Sequence, residues 1–522
     1  MFFREVESIK RFICIILTLI LIVVVFSGCK SEFSLSCRMG VYPKTLDPQV
    51  ASSALQLTVA QNSFEGLMRL DENGAPVKAA AESFEISPDG LTYTFILRDG
   101  AKWSNGDEIT ASDFQFGLLR ATDSATKSPY GYMLSSIKGA SERLAGSDSV
   151  LGVSVSGSSK LVIMLKEKND AFLSVLCHPV AFPCNRKYFE SCNGKYGMSA
   201  KHIISNGLYK VSYIIEGELI RLVKNSNYSG PASTLCSRID FDFKPLGKDT
   251  ELKSEILSGK WSIAAADAVT SKEAQTSGRN VYKDHDAVYC LLFNSASTLC
   301  RHPNTRRALA MSSPEISSGF YTTADRLIPS DLSIGGRSAS EIPELSVFKK
   351  TRDTKTARDL FLEYAPKQVL EDISKISVYC PDEPELLEAA KSVVSDWQKE
   401  LGAYFNIKAL DEQSLADKVA SGGYSIAFAK IPSYDHSASD LIRNLYITVG
   451  SPDALGGELR QVTSCAGGSR LVTSINAFSA ALENGSYAIP VFEASSDFVC
   501  SDSITGFKLS SFGTVDFSMI RK

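Results

Sequence analysis

The chain has 522 residues, of which 44% are apolar and 22% are charged, and its formal net charge is -4. This composition is typical of a globular protein and excludes a disordered or fibrous chain. No block of Lys or Arg runs along the sequence, so nothing favours a nucleic-acid partner. At roughly 100–200 residues per domain, we expect two to four domains.

The N-terminus predicts export. A basic start is followed by an uncharged apolar run from Phe12 to Gly28 and then by Cys29, which is typical of a secretory signal peptide. Ser27-Gly28-Cys29 resembles the lipobox of bacterial lipoproteins, with Phe26 in place of the usual Leu, and this implies a signal peptide over residues 1–28 and lipid on Cys29. The alternative is an uncleaved anchor, because this run is at the short end of what spans a bilayer, about 17–25 residues. Both interpretations place the remaining chain outside the cytoplasmic membrane, in the periplasm or at the cell surface.

Cysteine is the next informative residue type. Twelve are present, and ten remain outside the N-terminal segment. An even number in an oxidising compartment favours disulfides, and buried thiols are the other interpretation. No C-x-x-C pair occurs, and the spacing from Cys177 to Cys192 does not match a zinc ribbon, so no metal site is predicted there.

The first half of the chain is rich in strand patterns. The alternation of Tyr93, Phe95 and Leu97 with more polar neighbours predicts a strand that ends at Asp99-Gly100. The sequences "SVSGSSKLVIML" and "LYKVSYIIEGELIRLVKN" predict two hairpins, the second with its turn at Glu216-Gly217.

The second half changes character. A strand candidate at Ile376–Cys380 precedes a helical apolar pattern that begins at Pro384 and ends at Gly402. The strand "AYFNIKAL", the short helix "EQSLADKVASGG" and the strand "YSIAFAKI" follow. This β-α-β-α-β order predicts a parallel sheet with crossover helices and hence an α/β fold.

The acid-rich stretch "RDGAKWSNGDEITASDF" has structural explanations for its polar residues. Asn105-Gly106-Asp107 is typical of a turn. Thr110 and Asp113 have the spacing of a capping box at the start of a helix. Since no His lies nearby, we interpret the stretch as scaffold and not as a catalytic site.

The same stretch carries a family resemblance. Residues 64–114, with "FEGL", "SPDG", "KWS" and "TASDF", resemble the signature block of the extracellular solute-binding proteins of peptide and nickel ABC importers, family 5. Five other segments are also similar to parts of that family: "TLDP", "NGLYKV", "KNSNYSGP", "NTRRALA" and "WQKELG". The resemblance weakens after about Asp435.

The resemblance implies a two-lobed periplasmic-binding-protein fold with an extra domain, three domains in all. Domain I would comprise residues 30–60, 190–275 and 490–522, accessory domain II residues 61–189, and domain III, the α/β lobe, residues 276–489. The acid-rich stretch around Trp103, residues 98–114, would lie in the accessory domain, away from the ligand.

The ligand is expected between the lobes and beyond the carboxyl ends of the parallel strands. There, the resemblance implies a peptide held in extended form by main-chain pairing. The predicted ligand-binding residues come from the N-terminal segment and from the strand "YSIAFAKI" with the loop after it: Tyr42, Lys44, Ala429, Lys430, Ile431, Ser433, Tyr434 and Asp435.

The sequence departs from the family in that loop. Oligopeptide binders place an Asp before the Tyr to hold the α-amine of the peptide, whereas this chain has Ser433 there and Asp435 after Tyr434. Asp435 either takes the amine role or is a solvated loop acid, and Lys430 is a candidate for a ligand carboxylate. A ligand without a free amine is the remaining alternative.

Other functions have little support in the sequence. No G-x-S-x-G, H-E-x-x-H or P-loop motif occurs, and no enzyme is predicted. The sequence "DHD" at Asp284–Asp286 places its acids on the face opposite the His of a strand, so neither metal nor cofactor is predicted. The expected protein is a monomeric peptide-binding lipoprotein that delivers its ligand to an ABC permease with separate ATPase subunits. The alternatives are a nickel, haem or modified-peptide binder of the same fold, and a surface interaction protein.

Overall fold

The computed structural model describes residues 32–169, 171–244, 249–335, 337–433, 436–465, 468–510 and 512–522. The predicted signal peptide, Cys29, Tyr434 and Asp435 lie outside these ranges. Within them, no helix combines the length and the apolar character that a bilayer span requires.

The strands in chain order are β1 Phe33–Arg38, β2 Met68–Leu70, β3 Pro76–Lys78, β4 Ala81–Ile86, β5 Thr92–Leu97, β6 Val153–Ser156, β7 Lys160–Met164, β8 Tyr209–Ile215, β9 Leu219–Lys224, β10 Cys236–Asp242, β11 Ile263–Ala266, β12 Asn280–Phe293, β13 Thr322–Thr323, β14 Ser333–Ile334, β15 Arg337–Ser338, β16 Ser377–Pro381, β17 Asn406–Leu410, β18 Ile426–Pro432 and β19 Ala488–Cys500.

The helices are α1 Ala54–Ser63, α2 Ala111–Ala121, α3 Ala140–Leu144, α4 Phe172–Val175, α5 Arg186–Ser191, α6 Asp249–Leu257, α7 Ala268–Thr276, α8 Pro303–Ser312, α9 Thr354–Tyr364, α10 Lys367–Glu371, α11 Pro384–Leu401, α12 Glu412–Ala420, α13 Ala438–Thr448, α14 Asp453–Ser464 and α15 Gly468–Asn484. Short 3-10 turns occupy Gly131–Leu134, Pro179–Ala181, Ala200–His202, Ala339–Glu341 and Ile373–Lys375.

One large mixed sheet runs through the molecule in the order β17-β16-β18-β12-β19-β11-β1-β10-β9-β8, with β13 beside β19. The two long strands β12 and β19 are antiparallel neighbours, and their pairing shifts between Asp284 and Ala287. On one side of this bulge β19 pairs with β11, and on the other side β12 pairs with β18. We call residues 287–494 the second lobe and the other described residues the first lobe, so β12 and β19 connect the two.

The second lobe buries both faces of its sheet. Along β12, Val288, Cys290 and Leu292 pack into one core, and the alternate residues, including Tyr289 and Leu291, pack into another. This alternation follows from the two-residue period of a strand. Helices α13, α14 and α15 cover the first core, and α8, α9 and α11 cover the second.

A separate four-stranded sheet, β4-β5-β7-β6, forms the accessory sheet of the first lobe. Its core includes Phe95, Leu161 and Tyr130. Trp103 is fully buried, but it belongs to the core around β1 and β8–β10, and its ring centroid lies 6.3 Å from that of Phe64. The placement of the stretch around Trp103 in an accessory domain stays a prediction, and the ring of Trp103 packs with the core around β1 and β8–β10.

Several sequence predictions are confirmed. The β-α-β-α-β order gives β16, α11, β17, α12 and β18, with β16 parallel to both β17 and β18. Helix α11 ends at Gly402, whose φ of 70° is left-handed. Both predicted hairpins form, as β6–β7 and β8–β9. The predicted capping box also forms, since Asp113 Oδ2 accepts the Thr110 N–H at 2.8 Å, which supports the scaffold interpretation.

The ten cysteines outside the N-terminal segment are free thiols, nine of them buried and Cys465 partly buried. Of the two interpretations, buried thiols is the one that the structure shows. Burial raises the pKa of several, including Cys37 and Cys290, and this keeps the thiols protonated and unreactive.

Candidate functional site

A cavity of about 810 Å³ lies between the two lobes. Its lining comes mainly from residues 61–74 of the first lobe, from β12 at Tyr282–Asp284, from residues 331–338 and His436 of the second lobe, and from the C-terminal residues 506–519. A cavity at a lobe interface with a volume between about 300 and 1,000 Å³ is the usual form of a small-ligand site.

One wall of the cavity is aromatic. The ring of Tyr282 lies 5.0 Å from that of Phe507, and Phe498 lies 5.4 Å from Phe507. Phe64 and Leu208 extend this apolar surface. The wall offers contact to an apolar ligand group without specifying its shape.

Most charged groups around the cavity already have partners. Lys283 Nζ lies 3.2 Å from Asp497, and Lys508 Nζ donates to the Glu72 carbonyl oxygen at 2.9 Å. Arg337 Nη2 donates to the Glu341 carbonyl oxygen at 2.6 Å. These contacts fix three of the four Lys and Arg side chains of the lining.

Arg69 is the fourth. It follows the first residue of β2, and its Nε is buried with no hydrogen-bond partner in the described part of the chain. The positive charge is close enough to Glu65 to oppose the rise in the pKa of that carboxyl, which is caused by burial. Glu65 itself is engaged by Arg98 and Tyr228. Arg69 thus lines the cavity with a guanidinium whose buried Nε makes no hydrogen bond to the described residues.

The Asp284-His285-Asp286 run occupies the bulge of β12, and its three side chains have three different partners. Asp284 accepts from His436 Nε2 at 2.8 Å, His285 Nδ1 lies 2.9 Å from Asp331, and Asp286 accepts from the Ser496 hydroxyl at 2.5 Å. The first two contacts link the first-lobe part of β12 to Asp331 and His436 of the second lobe. Within the described ranges, no group of three or more His, Cys, Asp or Glu side chains could hold a metal ion.

The His285–Asp331 pair gives a pH prediction. Asp331 raises the pKa of His285, and His285 lowers the pKa of Asp331. The His contribution to stability is present below its unfolded pKa, about 6.5, and is lost as the pH rises through its folded pKa. The Asp contribution is present above about 3.9 and is lost as the pH falls through its folded value.

Replacing Asp331 by Asn should therefore lower the free energy of unfolding more at pH 5.5 than at pH 9. The difference between the two losses should not exceed about 1 kcal/mol, because the pair is partly exposed. Urea denaturation of both proteins at both pH values measures this. An equal loss at the two pH values would mean that the protonation of His285 is not coupled to folding.

Contacts also join the lobes away from the cavity floor. Arg443 Nη1 of α13 donates to the Pro129 carbonyl oxygen at 2.9 Å, and its guanidinium lies 4.9 Å from the centroid of Tyr132. A Cβ on Gly513 of the first lobe would lie 3.4 Å from His436 of the second. Both contacts require the lobes to lie close together.

None of the six predicted site residues that the structure describes belongs to the lining of this cavity. Tyr42 packs edge-on against Phe243 at 5.4 Å, and Lys44 is exposed. Lys430 Nζ lies 4.0 Å from Glu412, and the Ser433 hydroxyl donates to the Ser437 carbonyl oxygen at 2.8 Å. Their contact with a ligand stays a prediction, as it does for Tyr434 and Asp435.

Ala429 and Ile431 have buried side chains in the core of the second lobe, so only their backbone could meet a ligand. The ladder between β18 and β16 covers Ile426 and Ala427. Among the described strands, none pairs with that edge of β18 from Ala429 to Ile431. The loop after β18 reaches the cavity at His436.

Sequence reasoning missed Arg69, Asp284 and His436 as lining residues. The Asp284-His285-Asp286 run was a usable signal, since three charged residues within a strand are unusual in a core. No sequence signal pointed to Arg69, because its role depends on the approach of segments more than 200 residues away.

The comparison with protein families decides what kind of protein carries this cavity. The model of the bacterial extracellular solute-binding proteins, family 5 Middle, matches residues 75–452. The chain belongs to this family. As a family 5 solute-binding protein it is a transport protein and not an enzyme.

A curated relative of this family 5 protein is the oligopeptide-binding protein OppA of Bacillus subtilis, which is 28% identical over 409 residues, or 76% of this chain and 74% of the relative. The structure of Haemophilus influenzae OppA in complex with RPPGFSPFR superposes with a TM-score of 0.75 at 19% identity, over 94% of this chain and 98% of the other. The two-lobed α/β fold is thereby confirmed.

A further solved structure concerns the arrangement of the lobes. The family 5 protein matches the Escherichia coli murein tripeptide binding protein MppA with a TM-score of 0.74, and the unliganded open form of MppA with 0.62. Identity is 21% in both cases, with 94–95% of this chain and 98% of the other covered. Since both are structures of one protein, the difference shows that the lobes here are not arranged as in that open form.

Proposed function

We propose that this family 5 protein captures peptides in the cavity between its lobes and delivers them to the permease of an ABC importer. The observation that carries the proposal is the cavity itself, which both lobes line and which combines an aromatic wall with the guanidinium of Arg69. A zwitterionic ligand with an apolar side chain fits such a lining.

Arg69 binds the ligand carboxylate in this proposal, because a buried guanidinium gains most from a charged acceptor. The opposite end of the ligand lies towards the second lobe, where His436 lines the cavity beside its partner Asp284 of the first lobe. Asp435 adjoins His436 in the sequence and remains the proposed partner of a free α-amine, with Tyr434 beside it. No described strand pairs with this edge of β18 at Ala429–Ile431, and this supports the proposed main-chain pairing of an extended peptide.

The mechanism is a change of population between open and closed states. A ligand that contacts both lobes only when they are closed stabilises the closed state by the difference in affinity. The Arg443–Pro129 hydrogen bond forms only between closed lobes and adds to that stabilisation. The bulge of β12 at Asp284–Ala287 lies where the lobes join, so we propose it as the hinge.

The cellular setting is part of the proposal. Residues 1–28 would be a signal peptide, and lipid on Cys29 would hold the protein at the membrane, in the periplasm or on the cell surface. The protein would act as a monomer and dock on a permease whose ATPase subunits supply the energy. The division into domain I (30–60, 190–275 and 490–522), domain II (61–189) and domain III (276–489) also remains a proposal, supported by the separate accessory sheet.

A thermal-shift screen tests the function. Defined peptides of two to eight residues are added to the protein, each with a free or an acetylated amine. A peptide that binds should stabilise the fold by about 2.7 kcal/mol at a hundred times its Kd. Acetylation should abolish the shift if Asp435 holds an amine.

No shift with any peptide would contradict the proposal. A shift with haem or nickel alone would favour the non-peptide alternative. No shift with any small molecule would favour the surface interaction protein.

A further inference from the structure

A second cavity, of about 760 Å³, lies wholly within the second lobe. It shares no lining residue with the cavity between the lobes. Its apolar lining comes from β12, the end of α8, the segment before α9 and the start of β19: Leu291, Met311, Ile316, Phe348, Ile489 and Val491. An apolar surface of this size inside one lobe is not explained by the closure of the two lobes.

The rim of this second cavity is mainly cationic. Arg307, Lys349, Lys350 and Arg352 line it together with only two acids, Glu315 and Glu483. Arg352 forms an ion pair with Asp396 at 2.5 Å, and Glu483 accepts the backbone N–H of Lys349 at 3.2 Å. Arg352 therefore already has an acidic partner, whereas Lys349 contacts Glu483 through its backbone and not through its ammonium group.

Arg307 and Lys350 carry the other two positive charges of the rim. Their side chains, like that of Lys349, make no ion pair or hydrogen bond within the described ranges. Both side chains are exposed at the rim of the cavity, so an anionic group of a ligand can reach them.

We propose that the second cavity binds a free single-chain carboxylate amphiphile, with its carboxylate on Arg307 and Lys350 and its alkyl chain on the apolar floor. The charge of the rim selects an anion, and the floor rewards burial of the chain in proportion to its apolar area. A purely polar anion would leave the floor in contact with water. The proposal does not depend on what binds between the lobes.

Isothermal titration of the mature chain tests the proposal with three matched probes: decanoate, 1-decanol and acetate. Decanoate, as a monomer, should bind at one site, and the other two should bind at least about tenfold more weakly because each lacks one half of the interaction. Peptide added to saturation should leave the decanoate affinity unchanged, since the two cavities share no residue.

The charge reversal Arg307→Glu with Lys350→Glu should weaken decanoate binding by about tenfold or more. The matched control is Arg301→Glu with Lys367→Glu, which changes the charge equally at two exposed positions of the same lobe that line neither cavity. It should change the affinity less than about twofold. Ile316→Trp, which fills the cavity without changing charge, should also abolish binding.

Folding of each variant is checked by its far-ultraviolet circular dichroism and its melting temperature, which should stay near those of the wild type. Equal decanoate affinity in the wild type and the charge-reversed protein would overturn the proposal. So would displacement of decanoate by peptide, which would place it between the lobes. Binding to phosphatidylglycerol vesicles without binding to monomeric decanoate would replace it with a membrane contact.

Discussion

Replacing Asp47 by Asn is expected to lower the free energy of unfolding by about 3–5 kcal/mol, because it removes the counter-charge of a buried guanidinium. Arg120 of α2 donates to Asp47 Oδ2 at 2.6 Å and to Asp47 Oδ1 at 3.2 Å. The two residues are only 9% and 5% exposed. In the variant, Arg120 would stay charged and desolvated, with a neutral amide in place of the carboxylate.

The surroundings of Arg120 explain why the loss is not recovered by rearrangement. Gln49 Oε1 accepts from Arg120 at 2.7 Å, while its own amide donates to the Phe182 carbonyl oxygen at 3.0 Å. The guanidinium also stacks 4.0 Å from the Phe189 ring centroid. These contacts hold Arg120 in place and tie the "TLDP" segment to α2.

Urea denaturation measures the effect, with Glu273→Gln as the control. Glu273 forms an exposed pair with Lys253 at 2.6 Å, so the same acid-to-amide change should cost less than about 1 kcal/mol there. Similar losses in the two variants would show that the Asp47–Arg120 pair is no more important than a surface pair.

The fold was predictable from local patterns. The apolar spacing from Leu386 to Leu401, with Pro384 before it and Gly402 after it, specifies helix α11 without reference to the rest of the chain. The strands around it follow from the same kind of signal. The stretch around Trp103 could be recognised as scaffold because Thr110 and Asp113 have capping spacing. Which core the Trp103 ring packs into could not be predicted, because that depends on the position of Phe64 in the folded chain.

The candidate site was less predictable. The cavity is built from residues 61–74, 282–284, 331–338 and 506–519, which meet only after the large sheet is assembled. The rule that ligands lie beyond parallel strand ends predicts the β18 residues, and it leads to the loop after β18, in which His436 lines the cavity. It could not reveal that Lys430 points towards Glu412, because that contact depends on the position of α12.

Replacing Arg69 by Ala is expected to raise the Kd of a peptide with a free carboxylate by about 10- to 150-fold. A hydrogen bond to a charged group contributes about 1.5–3 kcal/mol, and each 1.4 kcal/mol is a factor of ten. The reason is local to this chain, because Arg69 lines the cavity with its Nε buried and without a partner among the described residues. The other Lys and Arg of the lining are held by protein groups.

Paired peptides make the measurement specific. A peptide and its C-terminally amidated form are titrated into the wild type and into Arg69→Ala, and the amidated form should bind both proteins with affinities within about threefold. Arg337→Ala is the matched control, since Arg337 also lines the cavity but already donates to the Glu341 carbonyl oxygen. If Arg69→Ala weakened both forms of the peptide equally, the guanidinium would be shaping the cavity and not binding the carboxylate. The ligand carboxylate would then have to lie elsewhere in the cavity, with Lys508 as the next cation to replace.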